Sequence, residues 1–318
     1  MTINKKEKSE NKAQSNKQGL YFVFSMIVMI LWGSLFPFIK IGYKAFNIKS
    51  DNMADIIMFA AFRFLISGFV MCIAALCLRA KIKKPFFKSI SKISLIGFFA
   101  VYLHYICVYT SLALADGSKV AILKQAGPLI YTCFSFVFIK SEKFNIKNIL
   151  AAVLGFLGVV AINFGTKTQG FSTADLLVLS ASAFNVISMI ISQKCSADTS
   201  PIWITGISQL FGGVLLFFTG IFLHGKIPQF GFHSRLVFLY ICFASVSGYT
   251  IFFYVQKKIL LSKLFIIKFS EPLFACIFSA LLLKENIFRL QYLISLVLIA
   301  AGLIIAERKE KLIKWKKV

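Results

Sequence analysis

Apolar stretches of about 20 residues recur along this chain, and a helix of that length spans the roughly 30 Å hydrocarbon core of a bilayer. Ten stretches are present, at about residues 20–41, 56–78, 93–114, 118–139, 149–165, 174–193, 202–223, 236–256, 260–283 and 290–306, with short polar loops between them. The fifth is short, and the start of the ninth is crowded by Lys257, Lys258 and Lys263. With 58% hydrophobic residues, 15% charged residues and a mean hydropathy of +0.80, a water-soluble enzyme is excluded. The expected fold is an all-α integral membrane protein of ten transmembrane helices.

Basic residues outnumber acidic ones by 36 to 12, a formal charge of +24. They punctuate the apolar runs rather than forming one surface, so no nucleic-acid partner is expected. With the N-terminus placed in the cytoplasm, 23 of them fall in cytoplasmic loops and tails and 8 on the opposite side. That skew predicts both termini inside a bacterial cell (inner) membrane, and an even number of spans. Residues 1–19 and 307–318 read as polar and basic cytoplasmic tails. The run behind the first tail lacks a small-residue cleavage pattern and reads as an uncleaved first helix. Six of seven cysteines lie in apolar runs and Cys195 in a loop, with no disulfide framework or metal-ligand spacing, so no metal or other cofactor is expected. No nucleotide-binding loop is present either, so any uphill work must draw on an ion or substrate gradient.

Within the chain, Ser118-Lys-Val-Ala-Ile-Leu-Lys124-Gln-Ala-Gly-Pro128-Leu129 matches Ser262-Lys-Leu-Phe-Ile-Ile-Lys268-Phe-Ser-Glu271-Pro272-Leu273 at an offset of 144. Gly158 meets Gly302 and Gly68 meets Gly212 at the same offset, and Glu142 meets Glu285 with a slip of one. Two repeats follow, 20–165 and 174–306, with five helices each. An odd number makes the second repeat enter the membrane from the opposite side, so the repeats are inverted. Inverted repeats are a common construction of secondary transporters, with a site near the bilayer midplane.

Pro128 falls eleventh in its run and Pro272 thirteenth, both near the midplane, and they are expected to break or kink the helix there. A proline has no N–H and crowds the carbonyl four residues earlier, here that of Lys124 or Lys268. A charge at mid-membrane costs about 2.5–3.5 kcal/mol even on insertion scales, and this chain incurs it twice. Both lysines are therefore candidates for contact with a substrate or coupling ion, the alternative being structural pairing with Glu271 and backbone carbonyls. Glu271, three residues after Lys268, is expected on nearly the same helix face.

With these features the chain resembles the drug/metabolite transporter superfamily, and within it the EamA family of ten-helix permeases. The resemblance covers residues 20–306 and is carried by Trp32-Gly33, Lys40, Phe62-Arg63-Phe64, Pro128, Glu142, Gly158, Glu271-Pro272, Glu285 and Gly302. It implies two inverted five-helix bundles around a central cavity, the fifth and tenth helices peripheral, and transport of amino acids, related metabolites or small amphiphiles. Lys124 and Lys268 depart from it, since such permeases usually carry small or apolar residues there. The lysine pair is similar to anion-handling branches of the superfamily.

Among other polar residues in the runs, Arg63 is expected in a structural ion pair with a neighbour such as Glu271. His104 and Glu271 are candidate proton or coupling groups. Trp32, Tyr109, Tyr249 and Tyr254 are candidate substrate contacts, and Asn185 and Gln209 are further polar points that could bond across helices. The expected partners are the lipid bilayer, a small-molecule substrate and a coupling proton or cation; the oligomeric state is not legible. The favoured function is alternating-access transport of a small anionic or zwitterionic metabolite. Efflux of amphiphilic or cationic compounds is the alternative within the same class, with a membrane scaffold, sensor or integral-membrane enzyme from other classes.

Overall fold

A bilayer core offers no water to backbone N–H and C=O groups, so each apolar run must satisfy its own by folding into helix. The computed structural model describes residues 2–49, 51–78, 85–114, 123–138, 143–162, 172–196, 199–284 and 290–307, and every regular element among them is helical. In chain order they are α1 (Thr2–Ala45), α2 (Met53–Cys77), α3 (Phe87–Gly97), a wide π turn (Phe98–Leu103), α4 (His104–Leu114) and α5 (Ala126–Phe138). Then come α6 (Ile146–Ile162), α7 (Thr173–Ser196), α8 (Pro201–Phe222), α9 (Phe232–Gln256), α10 (Leu261–Lys268), α11 (Glu271–Leu283) and α12 (Leu290–Glu307). Among the described residues seven helical stretches are long and apolar enough to cross a membrane, and Ile146–Ala161 and Leu293–Ile305 are shorter apolar helices. The start of the fourth run and the basic tail after residue 307 lie outside the described residues. Helix α1 runs on through the segment expected as a polar tail.

Helix packing repeats itself when the halves are exchanged. α2 lies on α8 and α6 on α12, each a contact between equivalent helices of the two halves. α1 packs on α9 and α11, as its equivalent α7 packs on α3, α4 and α5. Glycines give the direction. A Cβ on Gly68 would overlap the Leu210 backbone, one on Gly213 would lie 2.7 Å from the Leu65 nitrogen, and Gly206 and Gly220 meet Cys72 and Met58. Numbers rise along α2 as they fall along α8, so the pair is antiparallel. In α6 and α12 the same holds: Gly158 meets Ile299 and Ser295, and Gly302 meets Gly155 and Ala151. Equivalent helices running in opposite directions are what inversion of one half against the other requires.

These contacts also fix the register. Gly158 and Gly302 are equivalent at 144, as expected, but the α2–α8 contact relates 68 to 213 and 65 to 210, an offset of 145. Gly68 is therefore matched with Gly213; Gly212 packs instead on Val101 and Gly97. An offset of 145 also relates Gly97, which lies against the Ser208 carbonyl, to Cys242, whose Sγ donates to the Arg63 carbonyl at 3.8 Å. The drop to 144 falls across the π turn at Phe98–Leu103, and such a turn inserts one extra residue into a helix.

Candidate functional site

Helix α10 ends at Lys268, residues 269 and 270 make a turn, and α11 restarts at Glu271 with Pro272 in its first turn. In the first half a turn at Gln125 precedes α5, which carries Pro128 as its third residue. The two prolines thus begin second helices instead of kinking continuous ones. A first-turn position suits a residue without an N–H, because that N–H has no partner within the helix anyway. The Lys124 carbonyl is served by Ser182, whose Oγ donates to it at 2.6 Å and accepts from the Gly127 N–H at 2.8 Å.

Because the turn separates Lys268 from Glu271, their three-residue spacing does not place them on one helix face, and the expected Lys268–Glu271 pair is not formed. Glu271 Oε1 lies 4.0 Å from Lys124 Nζ, an ion pair across the two broken helices. Lys268 Nζ donates to Asn185 Oδ1 at 3.1 Å. Both ammonium groups also lie 5.5 Å from an aromatic ring centre, Lys124 from Phe36 and Lys268 from Trp32. The side chain of Lys124 is 22% exposed, while Lys268 is buried. Glu271 Oε2 is buried without a hydrogen-bond partner.

Around this pair the half-to-half equivalence continues with different residue types. Gly33 packs on the Glu271 carbonyl as Ser182 packs on Gly127, an offset of 149 between α1 and α7. The same offset relates Phe36, beside Lys124, to Asn185, beside Lys268. It also relates Trp32 to Ala181. Trp32 fills the space left by Gly248, where a Cβ would overlap the indole, whereas Ala181 offers its carbonyl to His104, the residue equivalent to Gly248 at 144. His104 Nδ1 and that carbonyl are 2.9 Å apart. A carbonyl only accepts, so Nδ1 carries the proton and this nitrogen is committed to the backbone.

Tyr249 lies 5.3 Å from the Trp32 ring, and its hydroxyl faces that of Tyr105, its own equivalent at 144. Tyr109 stacks at 5.6 Å on Tyr105 and faces Tyr43. Arg63 is not paired with Glu271. Its Nε donates to Ser245 Oγ at 2.7 Å, and its guanidinium lies against Phe64 and Tyr105. Tyr254 is not brought to the lysines: it is 39% exposed and meets Tyr21 and Phe24 edge-on. Gln209 is buried with both amide atoms unpartnered. Sequence reasoning missed Phe36, Ser182 and Tyr43. For Phe36 a signal was present, since it follows Trp32 by one helical turn and so shares its face.

The described residues of this region include three cations (Arg63, Lys124, Lys268) and one carboxylate (Glu271), a formal excess of two positive charges; Lys124 contacts Glu271, while Arg63 lies beside Ser245, Tyr105 and Tyr249. Such an arrangement suits an anion, and the unpartnered Glu271 Oε2 and Trp32 Nε1 add an acceptor and a donor.

The sequence pattern of the EamA-like transporter family matches residues 19–164 and again residues 172–307. A solved structure titled "Crystal structure of protein" is similar with a TM-score of 0.73, over 91% of this chain and 96% of its own, at 15% sequence identity. At that identity the likeness concerns the fold alone. No curated protein matches the sequence.

Proposed function

The chain belongs to the EamA-like transporter family, within the drug/metabolite transporter superfamily, and on that premise we propose that it carries a small anionic or zwitterionic metabolite across the membrane by alternating access. It is a multi-pass membrane protein; in this reading it crosses a bacterial inner membrane ten times with both termini in the cytoplasm. The observation that carries the substrate class is the placement of Lys124 and Lys268 at two inverted helix breaks, with Glu271 the one carboxylate beside them among the described residues. Each lysine sits at one of the two inverted helix breaks, so relative movement of the breaks changes the distance between the ammonium groups. A substrate bridging them is then released towards whichever side opens. The Lys124–Glu271 contact spans both halves and closes the gap when no substrate is bound. Coupling to a proton or cation is assigned to Glu271 in preference to His104, whose Nδ1 is held by Ala181.

The test is flux in proteoliposomes, comparing organic acids, amino acids and cationic amines. Anions or zwitterions are expected to move, with Lys124→Gln and Lys268→Gln each slowing flux by about tenfold or more while the purified proteins still melt cooperatively. Flux of amines alone, or anion flux untouched by both variants, overturns the assignment.

A further inference from the structure

Arg63 is only 1% exposed, yet no carboxylate is among its partners in the described residues. One guanidinium nitrogen is used, Nε to Ser245 Oγ; Nη2 is buried with no partner at all. The group lies 4.8 Å from the Phe64 ring centre and 5.9 Å from that of Tyr105, with Tyr109 and Tyr249 also facing it. A buried cation without a counter-charge is strongly unfavourable unless something arrives to pair with it. Nor does the architecture require a guanidinium here. At the offset of 145 fixed by the Cys242–Arg63 and Gly97–Ser208 contacts, the same place in the other half is filled by Ser208.

This cluster and the lysine site share walls. Tyr249 lies within electrostatic reach of both Arg63 and Glu271, and its ring is 5.3 Å from that of Trp32, which in turn lies 5.5 Å from the Lys268 ammonium. The arginine fork matches a carboxylate in shape and in donor spacing, and neighbouring tyrosine hydroxyls supply further donors. Charge selects among the ligands that would fit. Two surplus positive charges are neutralised by a ligand with two anionic ends, and not by a monocarboxylate or a zwitterion.

Resting on the transport reading above, we propose that Arg63 is a second anion-binding point of the same site, and that the substrate is a small dicarboxylate, one end on the Arg63 fork and the other on the Lys124–Lys268 pair. Binding to the purified full chain is measured by ligand-dependent melting, with succinate and glutarate against butyrate, L-alanine and glycerol 3-phosphate. A dicarboxylate is expected to bind about tenfold or more tightly than butyrate. Arg63→Gln abolishes that preference, and Arg63→Lys, which keeps the charge but not the fork, retains part of it. A purely structural arginine would instead lower the melting temperature without ligand and leave the ratio unchanged. Should Arg63→Gln not fold, the ratio in Arg63→Lys decides: an unchanged ratio overturns the proposal. So does equal binding of succinate and butyrate by the wild type, or stabilisation by L-alanine or glycerol 3-phosphate alone. Dicarboxylate selectivity without flux in proteoliposomes leaves the subsite standing and overturns transport. Flux of butyrate or L-alanine that Arg63→Gln leaves unchanged keeps transport and overturns the subsite.

Discussion

The two halves keep the same residues where the chain must be built and different ones where a ligand would lie. Gly68 and Gly213, Gly158 and Gly302, and Pro128 and Pro272 occupy equivalent places at helix crossings and helix starts. Lys124 and Lys268 are equivalent too, but their surroundings are not: Phe36 stands opposite Asn185, Trp32 opposite Ala181, Gly248 opposite His104, Gly127 opposite Glu271 and Arg63 opposite Ser208. An inverted pair of bundles needs matched crossings for both to pack. Nothing in that packing requires the walls of the site to match, and a single asymmetric ligand favours walls that do not.

The largest effects should come from breaking what the halves share. An alanine at Gly68 would drive its Cβ into the Leu210 backbone, and one at Gly213 into that of Leu65. Neither contact is with the end of a flexible side chain, so each substitution is expected to cost about 3 kcal/mol, at the upper end for overpacking. The two losses should agree closely, since the contacts are images of one another. Gly19 lies in α1 with nothing within 4 Å of its missing Cβ. Gly19→Ala should therefore stabilise by up to about 1 kcal/mol through helix propensity. Melting of the three purified variants checks this; unequal losses at Gly68 and Gly213 would break the symmetry argument at its strongest point.

How far the sequence foretold this follows the same division. Apolar length predicted the helices, and the Lys-x-x-x-Pro repeat predicted both lysines and their place at irregular helix, because these features repeat in residue type. The equivalence of Phe36 with Asn185 was hidden, as the two share neither size nor polarity and their offset, 149, differs from 144. A turn at residues 269–270 carries no glycine to announce it, so Lys268 and Glu271 looked like neighbours on one face. Partner choice at Glu271 and Arg63 depends on helices far apart in sequence, which no local pattern records.

Next in size is the difference between the lysines. Lys268 is buried and gives its hydrogen bond to Asn185, so Asn185→Leu removes the acceptor and leaves an ammonium unsatisfied. Hydrogen bonds to charged groups contribute about 1.5–3 kcal/mol, and the loss of stability should fall in that range. The opposite exchange, Phe36→Asn, gives Lys124 an acceptor like that of Lys268 and should leave stability within about 1 kcal/mol of wild type. A smaller cost for Asn185→Leu than for Phe36→Asn would mean that the two environments had been assigned to the wrong halves.

Smaller again is the Lys124–Glu271 pair, at 4.0 Å and with Lys124 22% exposed on its side chain. Water screening at that exposure brings the expected coupling in a double-mutant cycle of Lys124→Gln and Glu271→Gln down to about 1 kcal/mol. The sign matters more than the size. If the pair closes the site between transport cycles, weakening it should loosen the empty protein while a bound dicarboxylate still stabilises the Glu271→Gln variant, because both lysines remain to hold the anion.

The smallest effect is expected at Tyr254, which the sequence placed with Tyr249 as a cavity residue on the same helix. Five residues separate them, more than one turn of 3.6, so their side chains diverge around α9. Tyr249 turns inward against Trp32, and Tyr254 outward against Tyr21 and Phe24. Tyr254→Phe should leave flux unchanged and shift stability by less than about 0.5 kcal/mol. Tyr249→Phe keeps the ring beside Trp32 but removes the hydroxyl that faces Tyr105, so it should lower flux while leaving melting nearly as it was. Equal flux losses in the two variants would place Tyr254 on the substrate path and undo the distinction between the inner and outer faces of α9.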